Sequence, residues 1–343
     1  MTRELNFNCA ATMIGSVPYT DPAVACAIIT KYLKEWPAWP QLPLRSNLEN
    51  MYIQYSQGFP GIKIDEHKVS FEHRTNTDEC IEQIISDSQD ANFGSYSISR
   101  DYAAGLHYCL TNSSMPITGL KGQITGPVSW GLCVTDQEDR SIIYDEMLAE
   151  TAARFLHLKA SWQEAELRRR AKNTIIFIDE PYLTSLGSAF VSLASEQVAA
   201  LIGEVLAGIS GLKGIHCCGS TDWSLLLGLP IDIISFDAYN YLDSFLCYPV
   251  PINTFLDRGG AIAWGIVPND EEALKKESLA LLSDRFCEAV NALVRPQFNF
   301  RDLVRCSMIT PVCGLASLSP ESAEYVFSLL KDLSEKIRRK YGG

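Results

Sequence analysis

Short apolar runs ended by Gly, Asp or Pro recur along this chain, separated by longer stretches with helical periodicity. That alternation limits the fold more than any other feature, because strands connected through helices pair in parallel and require a β-α unit for each step. Seven such runs are evident: Ala11–Ile14, Ile117–Ile124, Thr174–Ile178, Gly214–Cys217, Ile231–Phe236, Ala261–Gly265 and Met308–Val312. Seven strands and an eighth still to be located predict a single α/β domain over residues 1–343, a TIM (β/α)8 barrel. The eighth strand is expected between residues 50 and 100, where Met51–Ser56 and Phe93–Ile98 compete. Gly61–His73 reads as an inserted hairpin in the N-terminal third, and Trp36-Pro37-Ala38-Trp39-Pro40 as an irregular loop. Among the helices, Ser141–Arg170 places Ile143, Met147, Phe155, Leu158 and Trp162 near one stripe, and Ser319-Pro320-Glu321 forms a cap and first turn.

Composition narrows the partners. The 343 residues include 29 Lys and Arg against 41 Asp and Glu, a formal net charge of −12. Nucleic acid and anionic membrane surfaces both require a cationic face, so neither is an expected partner. No apolar run is long enough to span a bilayer. The eleven cysteines are an odd number, and the opening MTRELNFNCAATMIG lacks an apolar segment that would direct export. A cytoplasmic chain with reduced thiols is expected, in which a cysteine cluster near histidine signals metal binding or catalysis sooner than a disulfide framework.

In a parallel barrel the active site is assembled at the C-terminal ends of the strands. Read in order, those ends carry Gly15-Ser16, Asp179-Glu180-Pro181, His216-Cys217-Cys218, Asp237 and Cys313-Gly314. His216, Cys218 and Cys313 supply an imidazole and two thiolates, a donor set suited to Zn²⁺ that leaves a fourth position open. His216 and Cys218 are two residues apart on an extended strand end and face the same way, with Cys217 turned aside. Asp237 is a candidate fourth ligand, or an acceptor that orients His216. Asp179 and Glu180, after the apolar Ile175-Ile176-Phe177-Ile178, are candidates to bind a cationic group on a substrate.

These segments, together with Ile14-Gly15-Ser16, Gly126-Pro127-Val128 and Pro311-Val312-Cys313-Gly314-Leu315, resemble in the same order the catalytic barrel of cobalamin-independent methionine synthase. That barrel belongs with the uroporphyrinogen-decarboxylase-like barrels and the zinc methyltransferases that take methyl from a corrinoid. The resemblance implies zinc-dependent methyl transfer to a thiol, homocysteine first among them. It also implies zinc on His216, Cys218 and Cys313, with Asp237 where the family has a glutamate ligand. Asp179 and Ser16 would contact the amino-acid end of the thiol, and Gln54 would stand where the family places a glutamate on the ammonium.

Departures from the family pattern bear on the methyl donor. The length holds one barrel, whereas the folate-dependent enzyme resembles two fused ones. Cys133 stands where the folate enzyme carries a Trp to stack on the pterin, with Trp130 nearby but displaced, and Gly265–Asp270 contains no histidine to act as general acid. An amine leaving group such as folate N5 needs a proton, and a cob(I)alamin leaving group does not. A methyl-corrinoid, free or held by a corrinoid protein, is therefore the expected donor in preference to methyltetrahydrofolate. Two alternatives stay open at this level: a coenzyme-M-like sulfonate thiol as acceptor, and a metal-free decarboxylase resembling uroporphyrinogen decarboxylase.

Overall fold

A computed structural model describes residues 5–66, 68–111, 118–188 and 191–342. In chain order its strands are β1 (Ala10–Ala11), β2 (Ile62–Asp65), β3 (Lys68–Phe71), β4 (Gly119–Thr125), β5 (Asn173–Asp179), β6 (Leu212–Cys217), β7 (Ile233–Phe236), β8 (Ala261–Val267) and β9 (Ser307–Pro311). Each of the seven apolar runs overlaps a strand of one curled sheet, ordered β1-β9-β8-β7-β6-β5-β4 and parallel throughout, although of Ala11–Ile14 only Ala11 lies in β1. The expected hairpin is present as the antiparallel pair β2 and β3, with Ile62 opposite Phe71. Ile117, at the start of its predicted strand, and His67 within the hairpin segment lie outside the described residues.

The eighth strand does not form where the sequence reading placed it. Met51–Gln54 is a helical turn, and residues 93–98 have no regular structure. The gap between the two outer strands is bridged instead by the segment read as a loop. Ala38 pairs in parallel with Lys121 of β4, and Gln41 pairs in parallel with Ser16 beyond β1. On one side Lys121 N–H donates to Pro37 O at 2.9 Å and Trp39 N–H to Lys121 O at 3.3 Å; on the other, Gln41 N–H donates to Gly15 O at 3.0 Å. Pro37 and Pro40 have no N–H to contribute, so the segment makes isolated bridges and the regular ladder stops at seven strands.

The strand pleat sorts side chains into two layers of core. Outside the curl lies the large apolar layer between sheet and helices. Inside, Ala10, Ile175, Phe177, Leu212, Ile233, Ala261, Ala263 and Met308 fill the space, closed at one end by Leu5, Phe7 and Trp36. Gly214 belongs to this inner face, where a Cβ would come within 2.2 Å of the Phe177 ring, so a larger residue would displace the ring. Two residues further along the same faces, Ile175 and Phe177 lead to Asp179, and Gly214 leads to His216. The inner column thus changes from apolar to polar toward the C-terminal ends of the strands.

Asp145 begins the Glu146–Arg168 helix by accepting the Leu148 N–H at 3.0 Å. Met147, expected on its buried stripe, is exposed, because Ile143 sits in a separate short turn, Ile142–Tyr144, and the helical phase restarts. Ser319 caps the closing Pro320–Tyr341 helix as expected, accepting the Ser322 N–H at 3.1 Å.

The long helix also buries Lys159, whose ammonium has a 3.4 Å bond to Ser97 O and the Phe155 ring 4.9 Å away. Burial pushes its pKa down to about 7. The unfolded chain then holds the extra proton from about pH 7 to the ordinary lysine range, so stability rises with pH across that window by about 1.4 kcal/mol per unit. Lys159→Met is expected to raise the midpoint of thermal unfolding at pH 6.5 and to lose most of that advantage by pH 9.5. Calorimetry at the two pH values checks this, and an equal shift at both would refute it.

Candidate metal centre

His216 at the end of β6, Cys218 just beyond it and Cys313 after β9 bring one nitrogen and two sulfurs within 4.8 Å of one another. The register accounts for the convergence: β6 lies three positions from β9 in the sheet, and the curl carries both strand ends toward its axis. Cys217, between two inward residues, instead packs in the outer core.

His216 is prepared to act as a donor. Its Nδ1 lies 2.9 Å from Ser235 Oγ on the neighbouring β7, and Nε2 is buried with no hydrogen-bond partner. With Nδ1–H donating to Ser235, Nε2 carries the free lone pair, the tautomer needed for ligation. Burial, assisted by the positive charge of Lys121, lowers the histidine pKa to about 3, so the ring is neutral at physiological pH. The Cys218 and Cys313 thiols lie against each other, and that contact holds Cys218 below its ordinary range and pushes Cys313 up. Two adjacent thiols beside an unsatisfied imidazole form a soft-to-borderline donor set, which fits Zn²⁺ and does not fit Mg²⁺ or Ca²⁺.

The cluster forms the floor of a cavity of about 390 Å³, large enough for a small substrate. Ser16 and Asp179 line it, as expected, and so do Gln41, Glu49 and Asn269. Asp179 is buried with Oδ1 unpartnered, and burial overcomes the pull of Lys121 to lift its pKa to about 7. Glu49, missed in the sequence, is also held up near 7 by burial, although Leu42 N–H donates to it at 3.1 Å and Arg45 at 3.0 Å. Its only sequence signal is Ser46-Asn47-Leu48-Glu49, a helix-start pattern. That pattern announces the short Asn47–Glu49 turn and says nothing about a pocket.

Three candidates occupy other positions. Glu180 faces away from the cavity: Oε1 accepts Val128 N–H at 2.9 Å, and Oε2 accepts both Ser129 N–H at 2.8 Å and Ser129 Oγ–H at 2.6 Å. It secures the start of the Pro127–Cys133 helix, and Gly126 leaves room for it, since a Cβ there would fall 2.1 Å from Oε1. Asp237 caps the Ala238–Leu246 helix, with both oxygens engaged by Asn240 at 2.9 and 2.7 Å, and is not part of the ligand cluster. Gln54 stands behind the cavity wall, accepting from Gln41 Nε2 at 2.7 Å and donating to Tyr102 O. The amide that reaches the cavity is therefore Gln41, at the end of the proline-rich segment.

Similar folds are found among solved structures. A B12-independent methionine synthase from Shewanella sp. W3-18-1, in complex with selenomethionine, matches with a TM-score of 0.57 and 13% identity over 96% of this chain and 98% of that one. A putative vitamin-B12-independent methionine synthase from Listeria monocytogenes matches with a TM-score of 0.57 and 14% identity, covering 99% of this chain and 100% of that one. A methyltransferase from Methanosarcina mazei matches with a TM-score of 0.56 and 13% identity over 99% of this chain and 95% of that one. Nearly complete coverage in both directions establishes a shared fold. No protein-family model matches the sequence, and no curated protein does.

Proposed function

We propose that this chain is a zinc-dependent thiol S-methyltransferase that acts on an ammonium-bearing thiol, homocysteine first among them, with a methyl-corrinoid as donor. The observation that carries the reading is the convergence of His216, Cys218 and Cys313 within 4.8 Å beneath a cavity that also holds the unpartnered Asp179 carboxylate. In this reading the seven-stranded sheet and the bridge at residues 36–41 together make a closed TIM-type barrel.

Zinc, when bound, supplies a Lewis acid that holds a substrate sulfur as thiolate at neutral pH while thiolate ligands keep that sulfur nucleophilic. The remaining work belongs to the chain. Ser235 fixes the His216 ring so that Nε2 points into the cluster. Asp179 and Glu49 place two carboxyl groups where a substrate ammonium is stabilised, and pairing with that cation favours their ionised forms. Asp237 caps the Ala238–Leu246 helix through Asn240 and lies outside the cluster, so His216, Cys218 and Cys313 are the residues that would hold the zinc.

The same geometry weighs against the alternatives. Among the described residues lining the cavity there is no Lys or Arg, so neither a sulfonate nor a porphyrin carboxylate finds a counter-charge at its walls. Folate is disfavoured because Trp130 is fully buried, donating from Nε1 to Tyr52 O at 3.1 Å and Ser56 Oγ at 3.0 Å. It cannot stack on a pterin without unpacking.

The test uses protein purified without chelator, metal analysis, and methylcobalamin demethylation followed by absorbance with a panel of thiols. About one zinc per chain is expected, with kcat/KM for homocysteine at least about tenfold above that for 2-mercaptoethanesulfonate, a discrimination within reach of one buried charge pair. Zinc-free protein with no affinity for added zinc, or demethylation indifferent to thiol, would sink the proposal.

A further inference from the structure

Lys121 is fully buried on the inner face of β4, inside the curl of the sheet. Its ammonium donates to Ile14 O at 2.5 Å, lies 3.4 Å from Gln123 Oε1, and sits 4.3 Å over the Phe177 ring. Among the described residues it forms no direct ion pair, an unusual condition for a buried cation, which is costly unless its charge is answered. Ile14 belongs to the cavity wall, and Phe177 precedes Asp179 by two residues on the same strand face. The ammonium therefore lies one layer below the cavity floor. Its field reaches that floor, where it draws Asp179 toward the ionised form and His216 toward the neutral one.

We propose that Lys121 is a positioning residue whose ammonium is the fixed counter-charge for a substrate thiolate held beside Cys218 and Cys313. This inference rests on the metal reading above. A divalent ion with two thiolates and a neutral imidazole is uncharged, and a substrate thiolate makes the group −1. Asp179 is balanced by the ammonium of the substrate and Glu49 by Arg45 at 3.0 Å, so the thiolate and the substrate's own carboxylate are left, and Lys121 is the buried cation below the floor on which the thiolate sits. Two unit charges about 8 Å apart at an effective dielectric near 20 attract by the equivalent of about 30-fold in binding, which sets the scale for a cation one layer of side chains away. Because the cation is built into the core, its orientation requires no rearrangement when substrate arrives.

The test compares Lys121→Met, which keeps the length and the contact with Phe177, with the unaltered full-length protein, both loaded with zinc. Calorimetry measures the binding of homocysteine and of homoserine, which has a hydroxyl in place of the thiol and binds without a thiolate. Homocysteine is expected to weaken by roughly 10- to 100-fold and homoserine by less than about threefold, with zinc affinity by chelator competition nearly unchanged. In turnover, KM for homocysteine rises more than kcat falls. Equal weakening of both ligands would mean Lys121 only maintains shape, and no weakening of either would also overturn the inference. If Lys121→Met fails to fold, Lys121→Gln is read the same way. If the unaltered protein binds no zinc, the functional reading fails first and this inference falls with it; if it binds zinc and homocysteine and the variant matches it, only the role of Lys121 is lost.

Discussion

Changing Cys313 to Ser is expected to abolish stable metal binding and, with it, thiol-dependent methyl transfer. A serine hydroxyl stays protonated at neutral pH, so the substitution removes an anionic soft donor and leaves two ligands where the cavity floor offers three. Removing a coordinating ligand is a larger loss than the 10- to 100-fold attributed to outer-shell partners, so zinc affinity should fall by on the order of 10³-fold or more. Turnover should fall at least in parallel. The fold should survive, since Cys313 is partly exposed and lies past the end of β9. Metal content after dialysis, circular dichroism and the demethylation assay together decide the matter. Cys247→Ser is the matched control because Cys247 is exposed and outside the cluster, and it should retain full zinc. Full zinc content in the Cys313 variant would remove the cluster from consideration as the metal site.

Glu180→Ala is expected to have the largest effect on stability, despite the adjacent Asp179 being a cavity residue. The alanine removes the acceptor for Val128 N–H, Ser129 N–H and Ser129 Oγ–H, all inside the protein. Each buried donor left unsatisfied costs about 1–3 kcal/mol, and the side chain leaves a void beneath Gly126, so a loss of about 4–6 kcal/mol is expected. Ser129 Oγ also accepts the Tyr182 N–H at 3.0 Å, so the damage spreads to the turn after β5. Glu180→Gln keeps one acceptor oxygen for the two Ser129 donors and should recover part of the stability, though its amide nitrogen then faces the Val128 N–H. Chemical denaturation of the three proteins measures the order. A Glu180→Ala variant within 1 kcal/mol of the parent would show that water or another group replaces the carboxylate.

How far this molecule is legible from its sequence depends on whether a side chain acts within one strand or between distant ones. The paired spacing of His216 and Cys218 follows from strand geometry alone, and Asp179 follows from the inward column through Ile175 and Phe177. Glu180 is one residue out of phase with Asp179, so the same alternation turns it outward toward the Pro127–Cys133 helix. That orientation was available in the sequence, but the helix start waiting for it was not. Asp237 resembles a ligand by position and is a helix cap by local chemistry, because Asn240 three residues later binds it first.

The sequence by itself determined the seven apolar strands, the parallel α/β class, the hairpin at β2 and β3, and the His216, Cys218 and Cys313 donor set. Each of these depends on local period, residue chemistry or strand-end position. Only the tertiary structure decided that a proline-interrupted segment bridges β4 and the end of β1, that Gln41 and Glu49 reach the cavity, and that Lys121 lies beneath its floor. The physical reason is that Pro37 and Pro40 erase the donor pattern by which a strand is recognised, and that pocket membership and buried charge depend on which distant backbones the curl of the sheet brings together.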